Sequence, residues 1–465
     1  MRSSHLPFKL LFRRPFVQNE GLSQFEHAGY AKVHRTLFFI AVTFLSFVAG
    51  GLLAAFYEPY GDYLHKVQMY FRASYEAFRE DPSKQFHENL WFKARTGNVG
   101  VHRYDEQKAD NGLTFFTDQS PTAYLITMKG EVVHQWHLPF SKSWPNPTHI
   151  GGNVPPDYLI HWRRAHLFRN GDVLAIYEGM STTPYGFGLV KIDYNSDVIW
   201  TYSERTHHDL AVAQNGTIFV FTHSIEDSVP YDIPNIRAPI IHDYIAVLSP
   251  EGKEVKRISM LKAFWMSEYR AFLDFHQVAK GDLLHANAVD IAGAKEAQRY
   301  PFIQPGDLLV SFRDIHTIAV LDPDLEIIKW ASAGIWRFQH DPDFLENGSL
   351  LICDNLGNRG PGGPMRILEI NPLTKQVDWQ YAGSANELLI SRGRSSQQRL
   401  PNGNTLITES ENGRIFEVTR DNQIVWEFYN YSRGGLNSEL VGILNWGTRI
   451  DPDTLGFLDT VYVPK

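Results

Sequence analysis

One unit, written six times over, limits what this chain can become. From about residue 99, each copy opens on a turn of the Asn-Gly type and runs into an apolar strand. It then passes a variable stretch, an alternating strand and a second turn, and closes in a strand that carries a Trp. The openers are Asn111-Gly112, Asn170-Gly171, Asn215-Gly216, Pro305-Gly306, Asn347-Gly348 and Asn402-Gly403. The closers are Trp136, Trp200, Lys256 (a degenerate copy), Trp330, Trp379 and Trp426. A tight hairpin needs positive φ at its central residues, which Asn and Gly tolerate best.

The stretches "LVKIDYNSDVIWTY", "IAVLDPDLEIIKW", "RILEINPLTKQVDWQY" and "RIFEVTRDNQIVWEF" share one scheme of apolar alternation, turn and alternation again. A small antiparallel sheet cannot bury both faces alone. Six of them predict radial stacking: an all-β fold, a six-bladed β-propeller over residues 99–465. A solenoid would use shorter, more uniform repeats, and a β-sandwich would not repeat itself six times. The 30 Phe, 21 Tyr, 11 Trp, 35 Gly and 25 Pro suit such a turn-rich β protein. One insertion, residues 258–282, breaks the period. Met260, Phe264, Tyr269 and Phe272 stand near helical spacing there, predicting a surface helix between blades, with a lid over a pocket as the alternative.

Residues 36–57, "TLFFIAVTFLSFVAGGLLAAFY", hold no charge over 22 positions, enough to cross a bilayer as a helix. The basic leader 1–35 carries six Lys and Arg against Glu20 and Glu26, so the positive-inside rule puts the N-terminus in the cytoplasm. The bulk of the chain is then expected on the periplasmic or other extracytoplasmic side, as a single-pass membrane protein. A cleaved signal peptide is the rival reading, disfavoured by the long polar leader and the lack of a small-x-small cleavage site. Residues 58–98 are expected as a juxtamembrane helical segment, from the spacing of Leu64, Val67, Phe71, Tyr75 and Phe78. Residues 36–465 carry 38 basic against 50 acidic side chains, a net charge of −12, which excludes nucleic acid as a partner. The single Cys353 excludes an intrachain disulfide and a Cys-based zinc site.

"HHDLAVAQNG" and "QHDPDFLENG" place His208 and His340 each seven residues before an Asn-Gly opener. In a propeller the innermost strands line the central channel, so equal phase means one ring of side chains. The fourth unit adds His285 and Asn287, two apart and expected on one strand face, followed by Arg313. Arg163 and Ser395 hold the matching phase in the second and sixth units. Histidines, an amide and arginine around a channel predict an anion site with a possible nucleophile. Taken singly, each histidine is more simply a structural residue bonded to a neighbouring blade; the shared phase favours function. Asp209 and Asp341 are expected as turn or blade-to-blade residues, and His207, His223, His242 and His276 receive no role. "NLGNRGPGGP" lacks the Gly-Lys-Ser/Thr of a phosphate loop.

"FQHDPDFLENGSLLICDN", "SQQRLPNGNTLITESENGRIFEV" and "LLHANAV" with "GDLLVSFRD" resemble the arylsulfotransferase family of six-bladed propellers, over about residues 99–450. The resemblance implies direct transfer of a sulfuryl group from an aryl sulfate donor to a phenolic acceptor, without phosphoadenosine phosphosulfate and with no cofactor or metal. It implies His340 as the nucleophile, His208 and His285 as its partners, Asn287 as a donor and Arg313 as the oxyanion clamp. The last-blade hydroxyl falls on Ser395, Ser396 or Thr408. The lone Cys353 and the N-terminal 98 residues depart from the disulfide and extra β-domain of well-known bacterial members. Two other classes stay open: a propeller binding a divalent ion through His208, His285 and His340, and a non-catalytic binding platform. The sequence leaves the oligomeric state open.

Overall fold

Four of the openers make the same turn, and its chemistry explains the Asn-Gly pair. In Phe168–Gly171, Ala213–Gly216, Leu345–Gly348 and Leu400–Gly403 the Gly N–H donates to the carbonyl three residues back, at 2.8–3.0 Å. The Asn Oδ1 accepts the N–H two residues on, at 2.9–3.2 Å. Only the Gly takes positive φ, +86° to +91°, so the Asn serves by its side chain and not by its backbone. This corrects the expectation that both residues need positive φ: the turn is of type I with Gly at the left-handed position that follows. Gly306 keeps the conformation (φ +94°) at the end of a longer loop, while Gly112 does not take positive φ. Gly112 precedes a strand whose partner comes from the far end of the chain, so no hairpin is made there.

The computed structural model describes residues 90–150, 154–179, 185–233, 236–275 and 279–458, with helical residues at 44–46 and 49. The part of the expected juxtamembrane segment that holds Leu64, Val67, Phe71, Tyr75 and Phe78, and nearly all of the 36–57 span, lie outside the described residues. Among the described residues no helix is long and apolar enough to cross a membrane.

The described chain is mostly β. Six sheets of four or five strands each, antiparallel apart from one added strand, begin on an inner strand: β1 (Ile160–Leu167), β2 (Thr206–Val212), β3 (Ala286–Ile291), β4 (His340–Phe344), β5 (Ser396–Arg399) and β6 (Leu444–Ile450). The inner strands touch in a closed cycle, β1 to β2 and onward to β6 and back to β1. Closure is double. Leu113–Asp118, Thr122–Ile126 and Val132–His137 build outward from the C-terminal β6, and Gly100–Tyr104 adds a fifth strand to the β5 sheet. A small sheet of Trp91–Lys93, Arg433–Gly434 and Leu440–Gly442 lies apart from the six. Trp91–Lys93 is thus a strand inside the segment expected to be helical, because Leu440–Gly442 offers it backbone partners.

Both faces of the middle strands are buried, and successive residues feed different cores. Leu350 and Ile352 pack toward the β3 sheet with Leu309 and Val320, whereas Leu351 and Cys353 pack toward the β5 sheet with Ile407 and Phe416. Six apolar clusters result, one at each boundary between neighbouring sheets. The Trp closers tie the outer strands across those boundaries. Indole N–H groups of Trp136, Trp379 and Trp426 donate to carbonyls of Gly171, Arg420 and Met128 in the next sheet, at 2.9–3.0 Å. Residues 258–282 hold a short helix, Met260–Trp265, a 3-10 turn, Arg270–Phe275, and the strand Ala279–Asp282, which pairs parallel to Ile236–Leu248.

Two glycines separate backbone strain from crowding. Gly403→Ala meets φ +90° with nothing within 4 Å, and should cost about 1–2 kcal/mol. Gly252→Ala meets φ +76° and the Trp200 ring at 2.5–2.8 Å, so its loss in a urea midpoint should be clearly larger. Equal losses would contradict this packing.

Candidate active site

Each inner strand but β5 carries a break in register where it meets its neighbour. The residues left over are Arg163 in β1, His208 and Asp209 in β2, Asn287 in β3, Asp341 and Pro342 in β4 and Asn445 in β6. A bulge twists the strand and re-aims the extra side chain. Here the breaks converge on a small central cavity lined by Arg163, Arg164, His208, Asn287, His340 and Ser395, with Asp209, Asp341, Asn445 and Trp446. Five of the seven predicted site residues thus meet. A larger groove, walled by Arg103, Tyr381 and Gln423, lies elsewhere and holds no histidine.

His340 is held in one tautomer. Its Nδ1 faces two acceptors, the Phe338 carbonyl at 3.1 Å and Asn355 Oδ1 at 2.9 Å. Asn355 is fixed in that orientation because its Nδ2 donates to the carbonyls of Ser391 and Arg394, at 2.9 and 3.0 Å. Nδ1 therefore carries the proton, and Nε2 keeps a lone pair, which accepts the Arg394 N–H at 3.2 Å. Burial, then the charges of Arg163 and Arg313, hold the His340 pKa well below the usual imidazole range. A neutral imidazole is the result, its Nε2 lone pair engaged by the Arg394 N–H alone among the described residues.

His208 sits in left-handed backbone (φ +55°), its N–H donating to Glu178 Oε1 at 2.6 Å. Its Nδ1 is 2.9 Å from His207 Nδ1, and its Nε2 makes no hydrogen bond among the described residues. Burial, then His285 and His207, lower its pKa far below the ordinary value. Arg163 is buried against Glu178, with Nε 3.7 Å from Oε2, and donates to the Asn445 carbonyl at 3.3 Å. Arg164 pairs with both Asp209, at 2.8 Å, and Asp341, at 3.5 Å, and lies over the Trp446 ring. The aspartates also bridge sheets, accepting the N–H groups of Val289 and Gln397, which agrees with their expected blade-to-blade role.

His285 and Asn287 do not share a face. His285 precedes β3 in left-handed backbone (φ +52°), and the bulge at Asn287 breaks the two-residue alternation. Asn287 lines the cavity and donates to the Gln339 carbonyl at 2.8 Å. His285 turns its Nδ1 to Asp282, at 2.5 Å, and to Tyr185, at 3.1 Å, with its ring 4.6 Å from that of His208. Arg313 does not line the cavity either. Its side chain is 27% exposed and paired with Asp314, although its N–H binds the His285 carbonyl. Ser395 reaches the cavity, whereas Ser396 bonds Gly447 and Thr408 is buried away from it. Sequence reasoning missed Asn355, Arg394, Glu178, Tyr185 and Asp282. Asn355 and Arg394 had one weak signal, adjacency to the ends of strands that carry the site.

A family model described as arylsulfotransferase (ASST) matches residues 164–431, more than half of the chain. No curated protein matches it. Among solved structures it is similar to a protein of unknown function from Bacteroides caccae, at 10% identity and TM-score 0.44, over 73% of this chain and 98% of that one. A streptogramin B lyase is similar at 12% identity and TM-score 0.39, over 74% and 87%. The WD40 β-propeller domain of Doa1 follows at 11% and 0.37, over 76% and 98%.

The tautomer can be read directly. Histidine ¹⁵N correlation spectra at pH 6.5 should show His340 neutral, protonated on Nδ1, and still neutral about one pH unit lower. A doubly protonated ring at pH 6.5 would overturn the assignment.

Proposed function

We propose a mechanism for this chain, which belongs to the arylsulfotransferase family and is an aryl-sulfate sulfotransferase: His340 carries the sulfuryl group between two phenolic oxygens. One observation supports this above the rest. The Nδ1 proton of His340 is pinned by Phe338 and Asn355, which leaves the Nε2 lone pair as the nucleophile, in a residue that lines the same cavity as Arg163.

In the first half-reaction the Nε2 lone pair attacks sulfur and the bond from sulfur to the phenolic oxygen breaks. Its electron pair leaves on that oxygen as a phenoxide, which a hydrogen bond from the neutral His208 ring stabilises before it takes a proton from solvent. In the second half-reaction the acceptor phenol gives its proton to solvent, and its oxygen takes the departed phenoxide's place at the His208 N–H. The new phenoxide attacks sulfur, and the S–N pair returns to His340. Negative charge is spread over the sulfuryl oxygens throughout, so fixed donors and cations lower the barrier more than covalent elaboration does. Arg163, Asn287 and Ser395 are the groups at the cavity that can supply them. Arg163 replaces Arg313 as the preferred clamp, with Arg313 contributing a charge from the side. His285 positions His208 by ring contact.

The ring of six sheets is taken as the six blades of one propeller, supported by the closed cycle of inner strands. We place it on the extracytoplasmic side, behind an anchor at 36–57, on the strength of the uncharged span and the basic leader. Deleting residues 36–57 should release the protein from the membrane pellet; a deletion that still sediments with membranes counts against the anchor.

With 4-nitrophenyl sulfate and no acceptor, intact mass should rise by one sulfo group, mapped to His340 and discharged by added phenol. His340→Ala should lose at least ~10³-fold in rate and form no adduct. An adduct on another residue, or sequential kinetics, would overturn the mechanism. His208→Ala should slow transfer from phenyl sulfate far more than from 4-nitrophenyl sulfate, whose leaving group needs less stabilisation from a hydrogen bond.

A further inference from the structure

Behind His208, the same sheet buries three side chains whose ligating atoms have nothing to bind. His207 lies on β2, His223 on Ile218–Glu226 and Asp243 on Ile236–Leu248, three successive strands. His223 and Asp243 are direct cross-strand partners. His207 Nε2, both ring nitrogens of His223 and Asp243 Oδ1 are buried without a hydrogen-bond partner. One ligand atom from each lies within 4.8 Å of the others. His207 Nε2 and Asp243 Oδ1 stand 3.6 Å apart, close to the edge of about 3.3 Å expected between two ligands of a tetrahedral zinc ion.

Orphaned buried polar atoms each cost about 1–3 kcal/mol, and four in one cluster are not accounted for by sequence or fold. The supports are already in place. Asp243 Oδ2 accepts the Ala286 N–H at 2.9 Å, and His207 Nδ1 meets His208 Nδ1 at 2.9 Å, the outer contacts that orient ligands around a metal. Tyr185 closes the cluster from solvent, its ring 5.2–5.5 Å from those of His207 and His223. The neighbouring group Asp282, His285 and Asp314 is a weaker candidate, because His285 is bonded to Asp282 and Asp314 to Arg313.

We propose that His207, His223 and Asp243 bind one divalent transition-metal ion, zinc being the best match to two imidazoles and one carboxylate, with a position left over. The sequence carried no expectation of a metal here, since these histidines had no assigned role. The site has a consequence that rests on the transfer mechanism above. A metal on His207 Nε2 leaves the proton of that ring on Nδ1, donating to His208 Nδ1. The proton of His208 is then fixed on Nε2, where it can donate a hydrogen bond to the leaving phenoxide.

The test uses the full chain purified in detergent, loaded with ZnCl₂ and freed of excess. Elemental analysis should give about one zinc per chain, and His223→Gln and Asp243→Asn should each bring it below about a tenth. His340→Ala should keep the full equivalent. The same wild-type chain loaded with Co²⁺ should show visible bands of a low-symmetry four- or five-coordinate ion, and X-ray absorption should count two imidazoles. This second reading stands even where a variant fails to fold. Wild type that takes up no zinc, or variants that keep it, would overturn the site. The sulfo adduct on His340 is measured separately, so failure of the metal site and failure of the transfer mechanism give different results.

Discussion

Closing six sheets into a ring forces the inner strands to meet edge-on without forming a ladder, and their polar backbone groups must still find partners. The solution is a belt of side-chain to backbone hydrogen bonds at the axis. Asn445 Nδ2 donates to the Trp162 carbonyl from β6 to β1, and Glu178 takes the His208 N–H from the β1 sheet to β2. Asp209 takes the Val289 N–H, Asn287 donates to the Gln339 carbonyl, and Asn355 and Asp341 bind Arg394 and Gln397. Gln398 Oε1 accepts the Arg449 N–H and completes the circuit. Every boundary is bridged. An unmade bond at such depth costs about 1–3 kcal/mol, so the belt is a condition of closure and not an addition to it. The bulges that free these backbone groups also turn Arg163, His208 and Asn287 inward. Ring closure and site assembly are therefore one event.

The electrostatics of that belt select which arginine is left for a substrate. Arg164 is held by two carboxylates, Asp209 and Asp341, and by the Trp446 face. Two unit charges at 4 Å attract by about 4 kcal/mol at an effective dielectric of 20, so an incoming anion competes poorly for Arg164. Arg163 has one carboxylate, and at a looser 3.7 Å. The histidines meet the opposite condition. Burial and the nearby guanidinium groups keep His340 and His208 uncharged, which preserves a lone pair for attack while the arginine keeps its positive charge. A cationic imidazole here would bind an oxyanion and be unable to react with it.

The repeat is legible in the sequence because its causes are local: period-two alternation, an Asn that caps its own turn and a Gly at the left-handed position. Its family likeness is legible for the same reason, and the shared phase of His208 and His340 does bring both to one cavity. What escapes is set by register. "LLHANAV" reads as plain alternation, yet one extra residue at Asn287 separates it from His285. Arg163 and Arg164 are adjacent, and only the bulge sends them to different partners. Asn355 looks like the start of a loop, because what makes it matter is a carbonyl 39 residues on. Gly112 looks like a hairpin glycine, although its strand pairs with residues more than 300 positions away.

Six of the twelve left-handed residues other than glycine, among the described residues, lie at or beside the inner strands: His208, His285, Phe338, Asp341, Arg394 and Ser395 have φ between +49° and +80°. Each costs about 1–2 kcal/mol relative to a relaxed residue. A single sheet has little to set against that cost, but here the sheets share apolar clusters with their neighbours on both sides. The strain has a geometric return. Arg394 in left-handed conformation presents its N–H to His340 Nε2 and its carbonyl to Asn355, so one residue touches both ends of the histidine's hydrogen-bond system. His208 in the same conformation gives its N–H to Glu178, the carboxylate that also steadies Arg163. Nucleophile, hydrogen-bond donor and cation are thus positioned by backbone that is already committed before any substrate arrives, and the reorganisation left to the chemical step is correspondingly small.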